Sequence, residues 1–201
     1  MFSELTLSID KENGGKLSYK KLINDAVLSS DAQQLVDAID NTAIEVLIDA
    51  VNSYKAYPRG GGDKGKSFFG GAFLGAYVGG YNDDDGKFVA TYVRAYQIIN
   101  PIVLAAADNY LGTPGSLTLH EITEAYQGAL LALKDQKNIP FATKADENNP
   151  NSYYNLAHKA ATPQKATITL VPKADRIEIY VQQERSPVLP FLIGTYVVPN
   201  P

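Results

Sequence analysis

The chain has no cysteine and only two histidines among its 201 residues. Without sulfur there is no disulfide, no thiolate zinc site and no cysteine nucleophile, and the redox compartment is left open. No run of 18 apolar residues occurs, so no transmembrane helix is expected and no membrane partner with it; the longest candidate, 68–78, is short and broken by glycine. The opening residues, Met1-Phe2-Ser3-Glu4, have no basic patch followed by an apolar segment. A signal peptide is therefore not expected, which leaves a cytoplasmic location or export within a larger protein. Nor is there a lysine/arginine stripe: 18 basic and 22 acidic residues are interspersed, for a net charge of −4. That balance argues against a nucleic-acid partner.

What is present suffices for a core, since 45% of the residues are hydrophobic and 10% aromatic. Leu5, Leu7 and Ile9 alternate with polar residues and predict a strand. After the turn at Asn13-Gly14-Gly15, residues 17–29 read as a short helix around Leu22, Ile23 and Ala26. Ser30 with Gln33 forms a capping-box pattern for a second helix through Leu35, Val36 and Ile39. Ala43 to Val51 is β-branched enough for a buried strand. Phe68 to Tyr81 reads as a glycine-bearing strand, Asn82 to Gly86 as a turn, and Phe88 to Ile99 as a second, cleanly alternating strand. Asn100-Pro101 opens a helix to Leu111. A polar loop is expected from Lys134 to Pro150, then a helix over 151–161. Thr167–Val171, Arg176–Gln182 and Val188–Val198 alternate and predict three C-terminal strands. The fold class that follows is α+β, with residues 1–164 forming a main unit and 165–201 a β extension of the same domain.

The strongest chemical signal lies in Leu117 to Lys134, read as one helix with Leu119, Ile122, Tyr126 and Leu133 on an apolar stripe. Ser116 is the preferred cap. His120 and Glu124 stand one turn apart on one face, and Glu121 lies about 100° further round. With sulfur excluded, a catalytic zinc site would draw on His120, Glu124 and His158, two imidazoles and one carboxylate with a fourth position left to water. Glu121 would take the proton from that water, and Tyr154, one turn before His158, could donate to the developing oxyanion. Tyr153 and Tyr126 are weaker candidates for that donor. A His and two Glu near a helix start also serve merely to cap it and favour its dipole.

The run His120-Glu121-Ile122-Thr123-Glu124 resembles the active-site helix of zincin metallopeptidases, H-E-x-x-H, with glutamate in place of the second histidine. Together with Ala157-His158-Lys159-Ala160-Ala161-Thr162-Pro163-Gln164, it is similar to little-characterised bacterial domains, some at the C-termini of RHS-type polymorphic toxins. The resemblance covers residues 98–164, a third of the chain. It implies a zinc-dependent hydrolase, a peptidase, acting on a peptide or protein substrate, with His120 a ligand and Glu121 the base. It also implies a zincin-like sheet, formed by the strands beginning near residues 5, 43, 70 and 88, with the metal helix beneath. Phe88–Ile99 would be the edge that pairs with substrate.

Two other functions compete. The C-terminal strands, 166–198, could dock to another chain in a non-catalytic interaction domain. Gly60-Gly61-Gly62-Asp63-Lys64-Gly65-Lys66-Ser67 has the letters of a nucleotide-binding P-loop, but that loop needs a strand ending before Gly60 and a helix starting at Lys66, and the flanking Pro58 and Gly70-Gly71 provide neither. Three adjacent Asp at 83–85 lack the alternate spacing of a calcium loop and read as a solvated turn.

Overall fold

A period of two in residue character builds the sheet on which the molecule rests. The computed structural model describes residues 4–12, 14–23, 27–52, 55–56, 66–67, 70–183 and 189–197. Strands β1 (Leu5–Asp10) and β2 (Lys16–Lys21) form a hairpin, followed by α1 (Ser30–Asp40) and β3 (Ile44–Ala50). Two short strands, β4 (Lys55–Ala56) and β5 (Lys66–Ser67), pair with each other, and β6 (Gly71–Asn82) and β7 (Phe88–Ile99) form a long hairpin. Then come α2 (Pro101–Leu111), α3 (Ser116–Asp135), α4 (Lys144–Asn148) and α5 (Tyr153–Ala160). The chain closes with β8 (Ala166–Pro172), β9 (Arg176–Gln183) and β10 (Phe191–Val197) in an antiparallel sheet of order β10-β9-β8. The fold is α+β, as the sequence predicts.

The central sheet has the order β3-β7-β6, with β3 parallel and β6 antiparallel to β7. Helix α3 lies beneath it. Ala125, Tyr126, Ala129 and Ala132 pack on Phe73, Ala76, Val93 and Ala95. The small residues let helix and sheet approach closely: a Cβ on Gly128 would stand 2.4 Å from Phe73 Cζ. Below α2, a second cluster joins Val103, Leu104 and Leu117 to Ile168, Ile179 and Val181, so the C-terminal sheet shares its core with α2 and α3. Tyr110 of α2 stacks on Phe191 of β10 with centroids 4.7 Å apart.

Several expectations change. Residues 16–21 are strand rather than helix: Leu17 and Tyr19 alternate with Lys16, Ser18 and Lys20, and Gly14 and Gly15, at φ of 71° and 80°, complete the turn that pairs them with β1. That hairpin stands apart from the central sheet, so the strand beginning at residue 5 does not belong there. The α1 cap is Ser29, whose hydroxyl accepts from Ala32 N; Ser30 is already helical and makes no box with Gln33. Strand β3 is buried only at Ile44, because it is an edge. Strand β7 is central, hydrogen-bonded on both sides, and so cannot be the cleft edge. The expected polar loop contains α4, which Thr143 opens with a capping box to Asp146. Residues 60–65 of the P-loop letters lie outside the described residues. Lys66 and Ser67 form a strand paired with Lys55 and Ala56, where a phosphate loop requires a helix start.

Ser116 does not cap α3. The cap residue is Gly115, with no side-chain hydrogen bond of its own. The donors are satisfied from another helix instead: Asp108 Oδ2 accepts from Gly115 N at 3.0 Å and Oδ1 from Leu117 N at 3.1 Å. Burial raises the pKa of Asp108 and these two N–H groups oppose the rise. Replacing Asp108 with Ala orphans both donors and is expected to cost about 1–3 kcal/mol. The denaturant midpoint measures it; an unchanged midpoint would remove Asp108 from the account of how α3 begins.

Candidate metal centre

Helix α3 brings its N-terminal half under the start of β6 and the end of β7, and α5 packs against the same half. Ser152 caps α5 by accepting from Asn155 N, and the Asn155 amide donates to the carbonyls of Asp146, Glu147 and Asn149. At the other end of α3, the Tyr153 hydroxyl donates to Asp135 Oδ2 at 2.6 Å. Thus anchored, α5 presents His158 to the face of α3 that carries His120 and Glu124. The imidazole centroids of His120 and His158 lie 4.6 Å apart, edge to face.

The ligand atoms converge. His158 Nδ1 is 3.2 Å from His120 Nε2 and 3.1 Å from Glu124 Oε1, and one ligand atom from each of the three residues lies within 4.8 Å of the others. Two ligands about 2.0–2.1 Å from a tetrahedral zinc stand about 3.3 Å apart, a separation that both His158 distances match. His120 and Glu124 are buried, whereas the His158 side chain is 38% exposed and leaves an approach from solvent. Candidates 38 residues apart in sequence are therefore joined, as the sequence predicts.

Proton bookkeeping shows how the cluster could hold a cation. His120 Nδ1 is bonded to the Thr162 carbonyl at 2.5 Å, and a carbonyl only accepts, so the ring must carry its proton on Nδ1. Burial lowers the His120 pKa, against the Thr162 bond and Glu124, and favours the neutral ring with a bare lone pair on Nε2. Glu124 Oε1 brings a second lone pair to the same point. Only a proton on His158 Nδ1 stands between them, and the bond to Glu124 raises the His158 pKa against the opposing effect of burial. Two acceptors sharing one proton are an arrangement in which a divalent cation can replace that proton.

The remaining residues flank the cluster. Glu121 is 6% exposed and turns toward the sheet, where Gln97 Nε2 donates to its Oε2 at 2.6 Å. Its carboxyl occupies space that Gly71 leaves open: a Cβ there would lie 2.0 Å from Glu121 Cδ. Burial first, and the charge of Glu124 second, hold the Glu121 pKa well above the usual carboxyl range, which favours the protonated form.

No protein-family model matches the chain, and neither a curated protein nor a solved structure matches it.

The geometry therefore stands on its own. Tyr154 stacks on His158 at 5.9 Å. Its phenol pKa is raised by burial and then by Glu124 and Glu121, which keeps the hydroxyl a donor. The Tyr153 hydroxyl donates its proton to Asp135, whereas the Tyr126 hydroxyl lies at Asn41, whose Nδ2 donates to it. Sequence reasoning missed Gln97, Thr123 and Thr162, which surround the cluster. Gln97, placed among the apolar residues of β7, was the one readable signal: a buried polar residue needs a partner.

Proposed function

We propose that the chain is a zinc-dependent hydrolase acting on peptide bonds, with His120 Nε2, Glu124 Oε1 and His158 Nδ1 as ligands. The observation that carries this reading is the convergence of three ligand atoms within 4.8 Å of one another, with His158 part exposed to solvent. Two histidines and one glutamate make up a known catalytic zinc set, which supports hydrolysis despite glutamate standing at the second histidine of the zincin pattern. Zinc, when bound, supplies a Lewis acid and an acidified water at its open position.

The chain's own residues would do the rest. Glu121 is the proton acceptor: a dication offsets the charge of Glu124, one of the two causes holding Glu121 protonated, and so frees the carboxylate to act. Tyr154, kept neutral, donates to the oxygen that becomes negative. The substrate edge is β6 rather than β7. Ile99 O accepts from Val51 N on the β3 side, and Asn100 N donates to Gly70 O on the β6 side. Gly71, opposite Ile99, must then turn its backbone groups away from β7, and alternation gives Phe73 the same direction. Further along, that edge is closed where Ala76 pairs with Ile139. Gly71 and Phe73 are thus two edge residues beside Glu121, suited to pair with an extended peptide.

The expected result is that the zinc-loaded protein cleaves an unstructured polypeptide, that chelation stops it, and that added zinc restores it. Cleavage indifferent to the chelator, or no cleavage by protein shown to hold zinc, would dismiss the peptidase reading and leave a non-catalytic metal or interaction domain.

A further inference from the structure

We infer that Thr123 is the positioning residue that fixes His120 for metal binding, by clamping the Thr162 carbonyl against the imidazole. Its effect on zinc affinity rests on the metal-site reading above; the clamp itself does not.

Thr123 is on α3 and fully buried, on the turn between His120 and Glu124. Its hydroxyl proton is directed back along the helix, to Leu119 O at 2.9 Å and His120 O at 3.1 Å. Buried threonines in helices commonly make such bonds, and that alone would give it no role. The use of its lone pair is what distinguishes it: Thr123 Oγ1 accepts from Thr162 N at 3.0 Å, and the two hydroxyls stand 3.2 Å apart. Thr162 follows the end of α5 and is itself 2% exposed. Holding its N–H on α3 anchors Thr162, and with Pro163 restricting the rotation that follows, the Thr162 carbonyl in the next peptide unit meets His120 Nδ1.

The consequence is a choice of tautomer. With the proton required on Nδ1, the lone pair of His120 is on Nε2 and faces His158 and Glu124. Releasing Thr162 would let the ring rotate or carry its proton on Nε2, where it could not serve as a ligand. Outer partners of metal-bound histidines act in this way, and their loss typically weakens metal affinity by about 10–100-fold. Thr123 therefore ties the site's most buried ligand to the segment that follows its most exposed one.

Two measurements test the clamp. Because the chain has only two imidazoles, nitrogen NMR of the metal-free protein resolves the His120 tautomer without crowding. Wild type should show the proton on Nδ1. Thr123→Val, of nearly the same shape but without the hydroxyl, should show mixed tautomers and bind zinc about 10–100-fold more weakly. Thr123→Ser should restore both properties. A wild-type His120 protonated on Nε2 would overturn the inference, as would a Thr123→Val protein with wild-type tautomer and zinc affinity. A merely structural threonine would lower the melting temperature and leave the tautomer unmoved. Should Thr123→Val not fold, Thr123→Ala removes the same hydroxyl and is read in the same way. A wild type that binds no zinc but keeps the Nδ1 proton, lost in Thr123→Val, would refute the metal reading while upholding the clamp.

Discussion

Replacing His120 with alanine is expected to lower zinc affinity by roughly two to three orders of magnitude. Zinc sites built from four protein ligands are worth about 10–16 kcal/mol, or about 2.5–4 kcal/mol for each ligand. His120 has no substitute nearby, since the only other imidazole, His158, already faces the same point. His158→Ala should lose affinity to a comparable degree even though its side chain is the more exposed, because coordination depends on the donor atom and not on burial. Competition with a chromophoric chelator gives the affinities. Near-native zinc affinity in either variant would mean that the three atoms do not act as one site. His120→Ala should also respond differently to zinc in a melting experiment. Wild type gains stability as zinc exceeds its dissociation constant, about 2.7 kcal/mol at a hundredfold excess, and the variant does not.

Glu121→Gln is expected to separate binding from turnover. The amide keeps an acceptor for Gln97 Nε2 and fits the space beside Gly71, so the metal should still bind. It cannot accept a proton, so peptide hydrolysis should fall by about 10²–10⁴-fold, the usual contribution of a general base. Stability should move the opposite way. The folded pKa of Glu121 is raised, so the native state holds a proton that the unfolded chain releases near 4.5. Stability of the metal-free protein therefore declines as pH climbs from about 4.5 to the folded value, by about 1.4 kcal/mol per pH unit for one proton, and is level beyond it. Glutamine has nothing to release and lacks that slope. In chelator at pH 7, Glu121→Gln should be the more stable of the two. Parallel profiles of wild type and variant from pH 4.5 to 8 would rule out a buried, protonated Glu121; the comparison cancels the two histidines, which titrate in both.

Much of this site could be read from the chain because its parts obey local rules. Helical spacing alone puts His120 above Glu124, and alternation alone gave β7 its bounds. The meeting of His158 with that pair could only be argued from scarcity: with no cysteine and two histidines, few other zinc sets exist. What could not be read depends on partners distant in sequence. Nothing near Ser116 reveals that Asp108 caps the helix, nor does Thr123 show that its lone pair is meant for Thr162, 39 residues on. The edge of the sheet was misplaced for the same reason. Alternation in β7 shows a good strand, but only the pairing with both β3 and β6 shows that it lies in the middle. The hairpin at β2 was missed because Leu22 and Ile23, which drew the helical reading, are exposed at 58% and 69% and belong to no core.

Elemental analysis of untagged protein, exposed to zinc and then dialysed, tests the central claim most directly. The converging lone pairs of His120, Glu124 and His158 predict about one zinc per chain, falling to background in His120→Ala. Wild-type protein that retains no transition metal under those conditions would contradict the claim, and the hydrolase reading would go with it.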